Sequence, residues 1–598
     1  MDTDARPYVR WWWFSGPINT KDINEQLDWL QEHGFGGVEL AWVYPQPESK
    51  PDEGPRFLDD AFQACIAYTQ QACAQRNLGC DLTFGTLWPF CGTFIPQQYR
   101  SKRIGGFSNQ TVNRSWESRY DKHEAGVLDH LDEQALRWYA QYLADHGFRR
   151  FAQQHACAFF CDSWEVDPHN LGFSGFQEQF VAQFGYAYDP HNATADQRFD
   201  YRHLISNRVL DHFYRPYSEI CHQLGAASRV QCHGAPTDIL AAYALSDIPE
   251  SETLLFDPKF ALLAASAATF HQKPMVSSES FSCIYGWVPS PASPPYLKQE
   301  RVEDLRCVAD AQFAWGVNRV VWHGMPSKQQ SFYATVEVSP DSSLAPDFTS
   351  FNAYLQAISQ VLMQGQTVSR LTILLPLEDQ WMDDELPEHL RKPSSQYWWE
   401  LQELDIPDEL LPYRPLWFSS QWLSEVTVLD GKLWYQGCDL GVLYCPAKFL
   451  LFSTVQRLAE LAELGAPLLV PTELKEPGTI KHAGYAKLAK QLSNASAKYP
   501  RPVLQSEIPL DFWCRQQDDT YHLFIAHPQM RNLRYPLAYG YASQMQPYVI
   551  QATFFSPTRS YPLQLDFPSN GSLLFAIHEG TGEVRKVELT QIHAVKAT

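Results

Sequence analysis

Two glutamates in the first half of this 598-residue chain have the type and position for acid–base chemistry. Glu165 and Glu279 close the apolar runs that we read as the fourth and seventh strands of a sheet. Two carboxyl groups on opposite sides of a pocket can hydrolyse a glycosidic bond, since one protonates the leaving oxygen and the other activates water or attacks the anomeric carbon. Burial at a strand end would raise the pKa of a glutamate, which suits the acid.

Other residues at strand ends are candidates for holding a substrate. Glu250 and Glu252 lie two apart in a segment whose orientation the spacing does not fix, and we expect only one of them, Glu252, to serve as a further catalytic carboxylate. The candidates for substrate contacts are polar and aromatic: Trp12, Glu39, Trp88, Asp162, Trp164, His233 and His323. Each also has a structural interpretation. Successive strand residues face opposite sides, so either Trp12 or its two tryptophan neighbours point inward, and the histidines fit a hydrogen-bonded core equally well.

These side chains need a parallel sheet to bring them together. Short β-rich runs alternate with amphipathic stretches through residue 330, and this rhythm predicts eight βα units. The predicted strands are Val9–Phe14, Gly37–Val43, Cys80–Thr86, Ala156–Trp164, Ser228–Gly234, Thr253–Phe256, Pro274–Ser280 and Arg319–His323. Eight units favour a (β/α)8 TIM barrel, whose active site lies at the carboxyl ends of the strands, over a six-stranded doubly wound sheet. The stretch Trp88–Leu131 is then an excursion that helps to roof the site.

The rest of the chain predicts two smaller domains. We expect the catalytic barrel to span residues 1–365 and a small α/β domain of flavodoxin-like topology to span residues 366–500. Short alternating strands with Gly and Pro between them predict a C-terminal β-sandwich over residues 501–598. The fold class is therefore α/β, with an appended β-domain.

Composition excludes several functions. A formal charge of −21 would repel phosphate backbones and anionic membrane surfaces, so we expect no nucleic-acid or membrane partner. Aromatic residues make up 14% of the chain, which suits stacking on sugar rings as well as packing. The N-terminus lacks a leader pattern and no run of about 18 apolar residues occurs, so we expect a soluble cytoplasmic protein. The 13 cysteines form no metal-binding pattern.

Several short motifs in one order resemble the α-L-rhamnosidases of glycoside hydrolase family 106 and their relatives. The matching pieces are Val9-Arg-Trp-Trp-Trp-Phe-Ser-Gly16, Gly34-Phe-Gly-Gly-Val-Glu39, Asp162-Ser-Trp-Glu165, Asp247-Ile-Pro-x-x-Glu252 and Ser278-Glu279. The chain departs from the family at Glu250-Ser251, in the residues after Glu252, and in its shorter length.

The resemblance implies an inverting hydrolase of terminal α-L-rhamnosides, which we expect to act on oligosaccharides. The excursion Trp88–Leu131, which would wall off one end of the pocket, indicates an exo mode. Carried over by residue, Glu165 is the general acid, Glu279 the base, and Glu252 a carboxylate that holds the sugar or the water. The resemblance also implies a calcium ion near the substrate, whose ligands the sequence does not identify.

Three alternatives stay open. Family 42 β-galactosidases also join a barrel, a βα domain and a β-domain, but they carry Asn-Glu where this chain has Trp164-Glu165. A degenerate barrel that only binds glycans is another class. Cys445 could suggest an amidotransferase, although it lacks a Gly-x-Cys-x-Gly elbow and a downstream His-x-Glu.

Overall fold

Eight parallel strands close into a barrel at the N-terminal end of the chain. The computed structural model describes residues 4–43, 53–86, 88–108, 110, 125–167, 170–253, 257–287, 295–328, 336–383, 406–470, 473–493, 495 and 497–589. The barrel strands are β1 (Tyr8–Phe14), β2 (Gly37–Val43), β3 (Gly79–Thr83), β4 (Ala158–Cys161), β5 (Ala227–Gln231), β6 (Ile248–Thr253), β7 (Ser277–Ser280) and β8 (Arg319–Pro326). They follow chain order around the barrel, and β8 pairs with β1. The predicted TIM barrel is confirmed.

The sixth strand was predicted in the wrong place. Thr253–Phe256 was expected, whereas β6 begins at Ile248 and ends at Thr253, and residues 254–256 lie outside the described part. The two glutamates of β6 made the segment look like a loop. Because side chains alternate along a strand, Glu250 and Glu252 both face the barrel interior, which settles the orientation that the spacing left open.

Helices surround the barrel and bury their apolar faces against it. The first shows why they form where they do: Asn19 accepts a hydrogen bond from the backbone N–H of Asp22, and Ile23, Leu27 and Leu30 recur on one buried face. The larger helices of this layer are Thr20–Glu32, Asp60–Gln75, Glu133–Leu143, Phe176–Phe184, Ala195–Val209, Arg215–Leu224, Ile239–Leu245, Ala261–Phe270, Val302–Ala314 and Phe348–Leu362.

The excursion after β3 contains short strands in its described part. Cys91–Gly92 pairs with Gly126–Val127, and Lys102–Arg103 lies between Gly106–Phe107 and Leu171–Gly172. Residues 109 and 111–124 lie outside the described part.

A second, four-stranded parallel sheet follows the barrel. Its order is Leu416–Phe418, Leu371–Leu374, Val442–Tyr444 and Leu468–Leu469, which corresponds to the 2-1-3-4 order of a flavodoxin-like sheet. The helices Leu377–Met382, Phe452–Glu463 and Tyr485–Leu492 accompany it.

Two antiparallel sheets form the C-terminal part, with a separate apolar core. One sheet contains Gln366–Thr367, Phe512–Gln517, Thr520–Ile525, Leu573–His578 and Val584–Lys586, and the other contains Leu504–Ser506, Tyr548–Phe555 and Ser560–Phe567. This arrangement agrees with the predicted β-sandwich. Across the described ranges, no helix combines the length and apolar character needed to cross a bilayer.

Candidate active site

The barrel interior is charged rather than apolar. Three arginines and six carboxyl groups project into it from strands or from residues that directly follow them: Arg10, Glu39, Asp81, Asp162, Arg229, Glu250, Glu252, Glu279 and Arg319. All nine side chains are buried. Three guanidinium groups cannot compensate six carboxylates, so the energetic cost of burying charge keeps some of these carboxyl groups protonated.

Arg229 organises the deeper layer of this network. Its Nη1 lies 2.9 Å from Oδ2 of Asp81, its Nε lies 3.0 Å from Oε2 of Glu250, and its Nη2 contacts Glu39. Thr83 also donates a hydrogen bond to Oε1 of Glu39, at 2.9 Å. Glu39 is fully buried under these partners and holds both arginines in place, and its predicted contact with substrate stays a prediction.

Arg10 joins the deeper layer to the strand ends. Its Nε lies 3.0 Å from Oε1 of Glu39, while its Nη1 lies 3.2 Å from Oδ2 of Asp162 and its Nη2 lies 2.9 Å from Oε2 of Glu279. One guanidinium therefore fixes carboxyl groups from three sides of the barrel. Such charge-assisted, geometrically fixed contacts are stronger than neutral hydrogen bonds.

Glu279 is held as a carboxylate. Gln231 donates from Nε2 to its Oε2 at 2.7 Å, and Nε2 of His323 lies 3.1 Å from its Oε1. Burial alone would raise the pKa of Glu279, but Arg10 and then His323 outweigh burial and lower it to about 2. The sequence-based expectation of a raised pKa therefore fails for Glu279, and the ionised form suits a base or a nucleophile.

Glu252 and Asp162 have the opposite tendency. Oε2 of Glu252 lies 2.9 Å from Nε2 of His233. Burial and then the charge of Glu279 raise the pKa of Glu252 well above its ordinary value, and burial does the same for Asp162, with Glu279 adding to it. The site thus combines one ionised carboxylate with neighbours that favour the protonated form.

Aromatic rings close the site above Arg10. Trp12 faces inward, donates from Nε1 to the carbonyl of His323 at 2.6 Å, and packs edge-on against the His323 ring. The Trp88 ring lies 5.8 Å from that of Trp12, and the Arg10 guanidinium lies over both indoles. Cys283 belongs to the same apolar cluster. These rings give the pocket a wall on which a sugar can stack.

Two predicted residues of the fourth strand end lie away from this cluster. Glu165 is exposed, and Gln110 donates to its backbone carbonyl at 2.8 Å. Glu165 follows Asp162 by three residues, and its charge adds to the rise in the pKa of Asp162. Trp164 is buried and its ring packs against those of Phe213 and His130, which favours the structural interpretation; its contact with substrate stays a prediction.

Sequence reasoning overlooked the residues that organise the network. Arg10 stood in a quoted motif without a role, and Arg229, Asp81 and Gln231 received none. A charged residue within an otherwise apolar strand run was the available signal, since buried charges require partners.

The calcium ion implied by the family resemblance does not fit the described residues. They contain no group of three or more His, Cys, Asp or Glu side chains arranged to hold a metal. Calcium takes six to eight oxygen ligands, whereas the carboxyl groups of the barrel are engaged by Arg10, Arg229 and His233. We derive no catalytic step through this ion.

Comparison with known proteins gives distant similarities. No family model matches the chain. A curated protein of Formosa agariphila, named "Putative beta-glucuronidase", is 23% identical over 366 residues, which are 56% of this chain but only 28% of that protein. The chain therefore spans little more than a quarter of this relative.

Solved structures cover almost the whole chain. A rhamnosidase from Novosphingobium sp. PP1Y superposes with a TM-score of 0.69 and 12% identity, covering 100% of this chain and 84% of that one. A β-galactosidase from Bacillus circulans sp. alkalophilus has a TM-score of 0.55 and 9% identity, covering 96% and 99%. A GH42 β-galactosidase has a TM-score of 0.53 and 9% identity, covering 95% and 98%. The chain shares the barrel fold and the appended domains of these glycoside hydrolases.

Proposed function

We propose that this protein is an exo-acting glycoside hydrolase whose most favoured substrates are terminal α-L-rhamnosides of oligosaccharides. The observation that carries this proposal is Glu279, a buried carboxylate kept ionised by Arg10 and His323 at the carboxyl end of β7. Beside it lie carboxyl groups that favour the protonated form. Carboxyl groups in two protonation states are what glycoside hydrolysis needs.

Glu279 is the proposed base that activates water. Glu252 cannot be its acid partner, because the two occupy matching positions on adjacent strands and both approach the sugar from one wall. The acid has to come from across the barrel, where Asp162 and Glu165 follow β4. We assign this role to Glu165, the exposed one of the two, because a leaving group departs toward solvent. Protonated Glu252 and Asp162 then hold the sugar or the attacking water by donating hydrogen bonds.

Charge favours a sugar without a carboxylate. Arg10 and Arg229 are each paired with three carboxyl groups inside the barrel. A uronic acid would have to compete for them against buried, pre-positioned partners, at a large cost in desolvation. The proposed substrate is therefore a neutral glycoside, although the curated relative carries the name of a glucuronidase.

A retaining glycosidase resembling the family 42 β-galactosidases is the second candidate. A glutamate at the end of β7 with a pKa near 2 is as well prepared to attack an anomeric carbon as to activate water. The aromatic wall and the similar fold of the β-galactosidase structures are compatible with this reaction.

Proton NMR of the first sugar released separates the two candidates. The purified protein is mixed with 4-nitrophenyl α-L-rhamnoside and, separately, with 4-nitrophenyl β-D-galactoside, and the anomeric signal is followed from the first minutes. Release of β-L-rhamnose supports the inverting rhamnosidase. Release of β-D-galactose establishes retention and the second candidate. If the protein hydrolyses neither these substrates nor any of a broad panel of neutral glycosides, both candidate functions are refuted and a barrel that only binds glycans is favoured.

A further inference from the structure

Exposed aromatic side chains concentrate at one place beside the site. The large exposed aromatics of the described ranges are Phe107, Trp287, Tyr296, Tyr499, Tyr539 and Tyr548. Single exposed aromatics are ordinary, but a group of them marks a binding surface. Trp287, Tyr296 and Tyr539 belong to two segments that pack against each other, so the fold itself assembles this group. We call these three residues the aromatic platform.

The platform combines a barrel loop with the C-terminal β-domain. Tyr296 and Tyr539 stack with ring centres 4.1 Å apart and an interplanar angle of 14°. Tyr285 supports them from below, with its ring 5.6 Å and 5.2 Å from theirs and its hydroxyl donating to Asp304. The exposed fractions of Tyr296 and Tyr539 are 45% and 37%, so each keeps surface open to solvent.

The residue before Trp287 lies against both tyrosine segments. Gly286 has a positive φ of 133°, and a Cβ built on it would lie 3.6 Å from Pro295 and 3.7 Å from Pro536. Pro295 directly precedes Tyr296, and Pro536 directly follows Tyr535. Tyr296 itself adopts a positive φ of 58°, which is costly for a bulky residue and concentrates at functional positions.

Backbone hydrogen bonds fix the C-terminal segment on the barrel. Leu537 donates to the carbonyl of Ile284 at 2.7 Å, and the N–H groups of Gly540 and Ala542 each donate to Asp304 at 2.8 Å. The Tyr539 hydroxyl donates to the carbonyl of Gln299 at 2.9 Å. Because these are main-chain and buried carboxylate contacts, the position of Tyr539 does not depend on a surface side chain.

The platform continues directly into the site. Only seven residues separate Glu279 from Trp287, and within them Ser282 contacts Glu279 and Cys283 joins the cluster of Trp12 and Trp88. Tyr535 directly precedes Pro536, and burial and then Cys283 and Glu252 raise the pKa of its hydroxyl.

We propose that the aromatic platform is a subsite for the leaving-group side of the substrate, and that it binds the pyranose ring next to the terminal sugar by stacking. This proposal rests on the proposed function and deepens it, because it defines the substrate as an oligosaccharide rather than a small glycoside. Aromatic faces suit the apolar faces of pyranose rings, and for an exo-acting enzyme the only ring beyond the terminal sugar belongs to the leaving group. The C-terminal β-domain would thereby take part in recognition.

Kinetics with two substrates test the subsite. Tyr539→Ala and Trp287→Ala should reduce kcat/KM for an α-L-rhamnosyl-(1→2)-D-glucose disaccharide about tenfold through KM, a loss of about 1.4 kcal/mol. Both variants should leave kcat/KM for α-L-rhamnosyl fluoride within about twofold, because fluoride cannot reach the platform. Tyr539→Phe keeps the ring and should behave as wild type. Tyr499→Ala is the matched control, since Tyr499 is also exposed and stacked on a tyrosine, Tyr413.

Binding separates failure of the subsite from failure of the proposed function. Saturation-transfer difference NMR of the disaccharide with the Glu279→Gln variant should show transfer to the glucose ring, and adding Tyr539→Ala should abolish it. Absence of transfer to glucose in Glu279→Gln, or equal kinetic losses on both substrates, would overturn the platform. If wild type hydrolyses no glycoside but transfer depends on Tyr539, the proposed function fails while the binding site stands.

Discussion

Glu252 and Glu279 occupy paired positions on β6 and β7, and they favour opposite protonation states. Neighbouring strands lie about 4.8 Å apart, so two carboxylates here would repel strongly in a buried site. Arg10 and His323 stabilise the charge on Glu279, and this charge in turn helps to keep Glu252 protonated. The pair therefore presents one ionised and one protonated carboxyl group from the same wall of the barrel.

Replacing Glu279 should abolish turnover without unfolding the protein. Glu279→Gln keeps the shape and the contact with Gln231 but removes the charge, so we expect kcat to fall about 100- to 10,000-fold. Arg10 retains Glu39 and Asp162 as partners, so circular dichroism and the melting temperature should change little. Activity near wild type in a folded variant would remove Glu279 from the mechanism.

The activity lost when the proposed acid is replaced should depend on whether the leaving group needs a proton. Glu165→Gln should lose activity about 100- to 10,000-fold on a disaccharide, whose leaving alcohol needs a proton. On a 2,4-dinitrophenyl glycoside the loss should be small, because that leaving group departs as an anion. Asp162→Asn is the matched comparison. If Asp162→Asn shows the dependence on leaving group and Glu165→Gln does not, Asp162 is the acid.

Arg10 should determine where kcat/KM begins to fall at acidic pH. With a pKa near 2, Glu279 stays ionised through the accessible acidic range, so kcat/KM of wild type should not fall through protonation of the base. Arg10→Lys loses the two-sided contact with Asp162 and Glu279, so the pKa of Glu279 should rise and the acidic limb should move to higher pH. His323→Asn should give a smaller shift of the same sign. Unchanged limbs in both folded variants would contradict this role.

Glu378 lies away from the site and should make the free energy of unfolding depend on pH. It is buried in the helix Leu377–Met382, and burial, with Asp238 adding to it, raises its pKa to about 8. The folded state then binds more protons than the unfolded state between about pH 4.5 and 8, so stability contributed by protonated Glu378 is present at low pH and is lost as the pH rises.

Glu378→Gln cannot ionise and should remove this loss. Its melting temperature at pH 8 should exceed that of wild type, and the difference should shrink toward pH 5. Thermal unfolding at both pH values measures this, with Glu507→Gln, at an exposed position, as the control. Equal pH dependence in Glu378→Gln and wild type would show that Glu378 is ionised in the folded protein.

The amidotransferase alternative weakens once the second sheet is seen. Cys445 follows the strand Val442–Tyr444 and is buried, and burial raises its pKa to about 12. A thiol rather than a thiolate is present at neutral pH, and a thiol is a poor nucleophile. The cysteine therefore packs the sheet.

Sequence alone determined the periodic features of the fold. The βα rhythm predicted the barrel, since helix and strand periods follow from local burial, and seven strands were found where they lie. Strand-end position also singled out Glu252, Glu279, His233 and His323, which the structure brings together. Trp12 was left open between two orientations, and the strand register decided it.

Only the tertiary structure decided the electrostatics. Glu252 lay just before the predicted sixth strand because the glutamates of β6 hide its strand character, and the compensating Arg10 and Arg229 are far from it in sequence. Whether a buried glutamate is ionised depends on which charges lie within a few ångströms, and contacts between distant strands are not encoded in local pattern. The stack of Tyr296 on Tyr539 has the same origin, because the two residues are 243 positions apart and meet only when their segments pack.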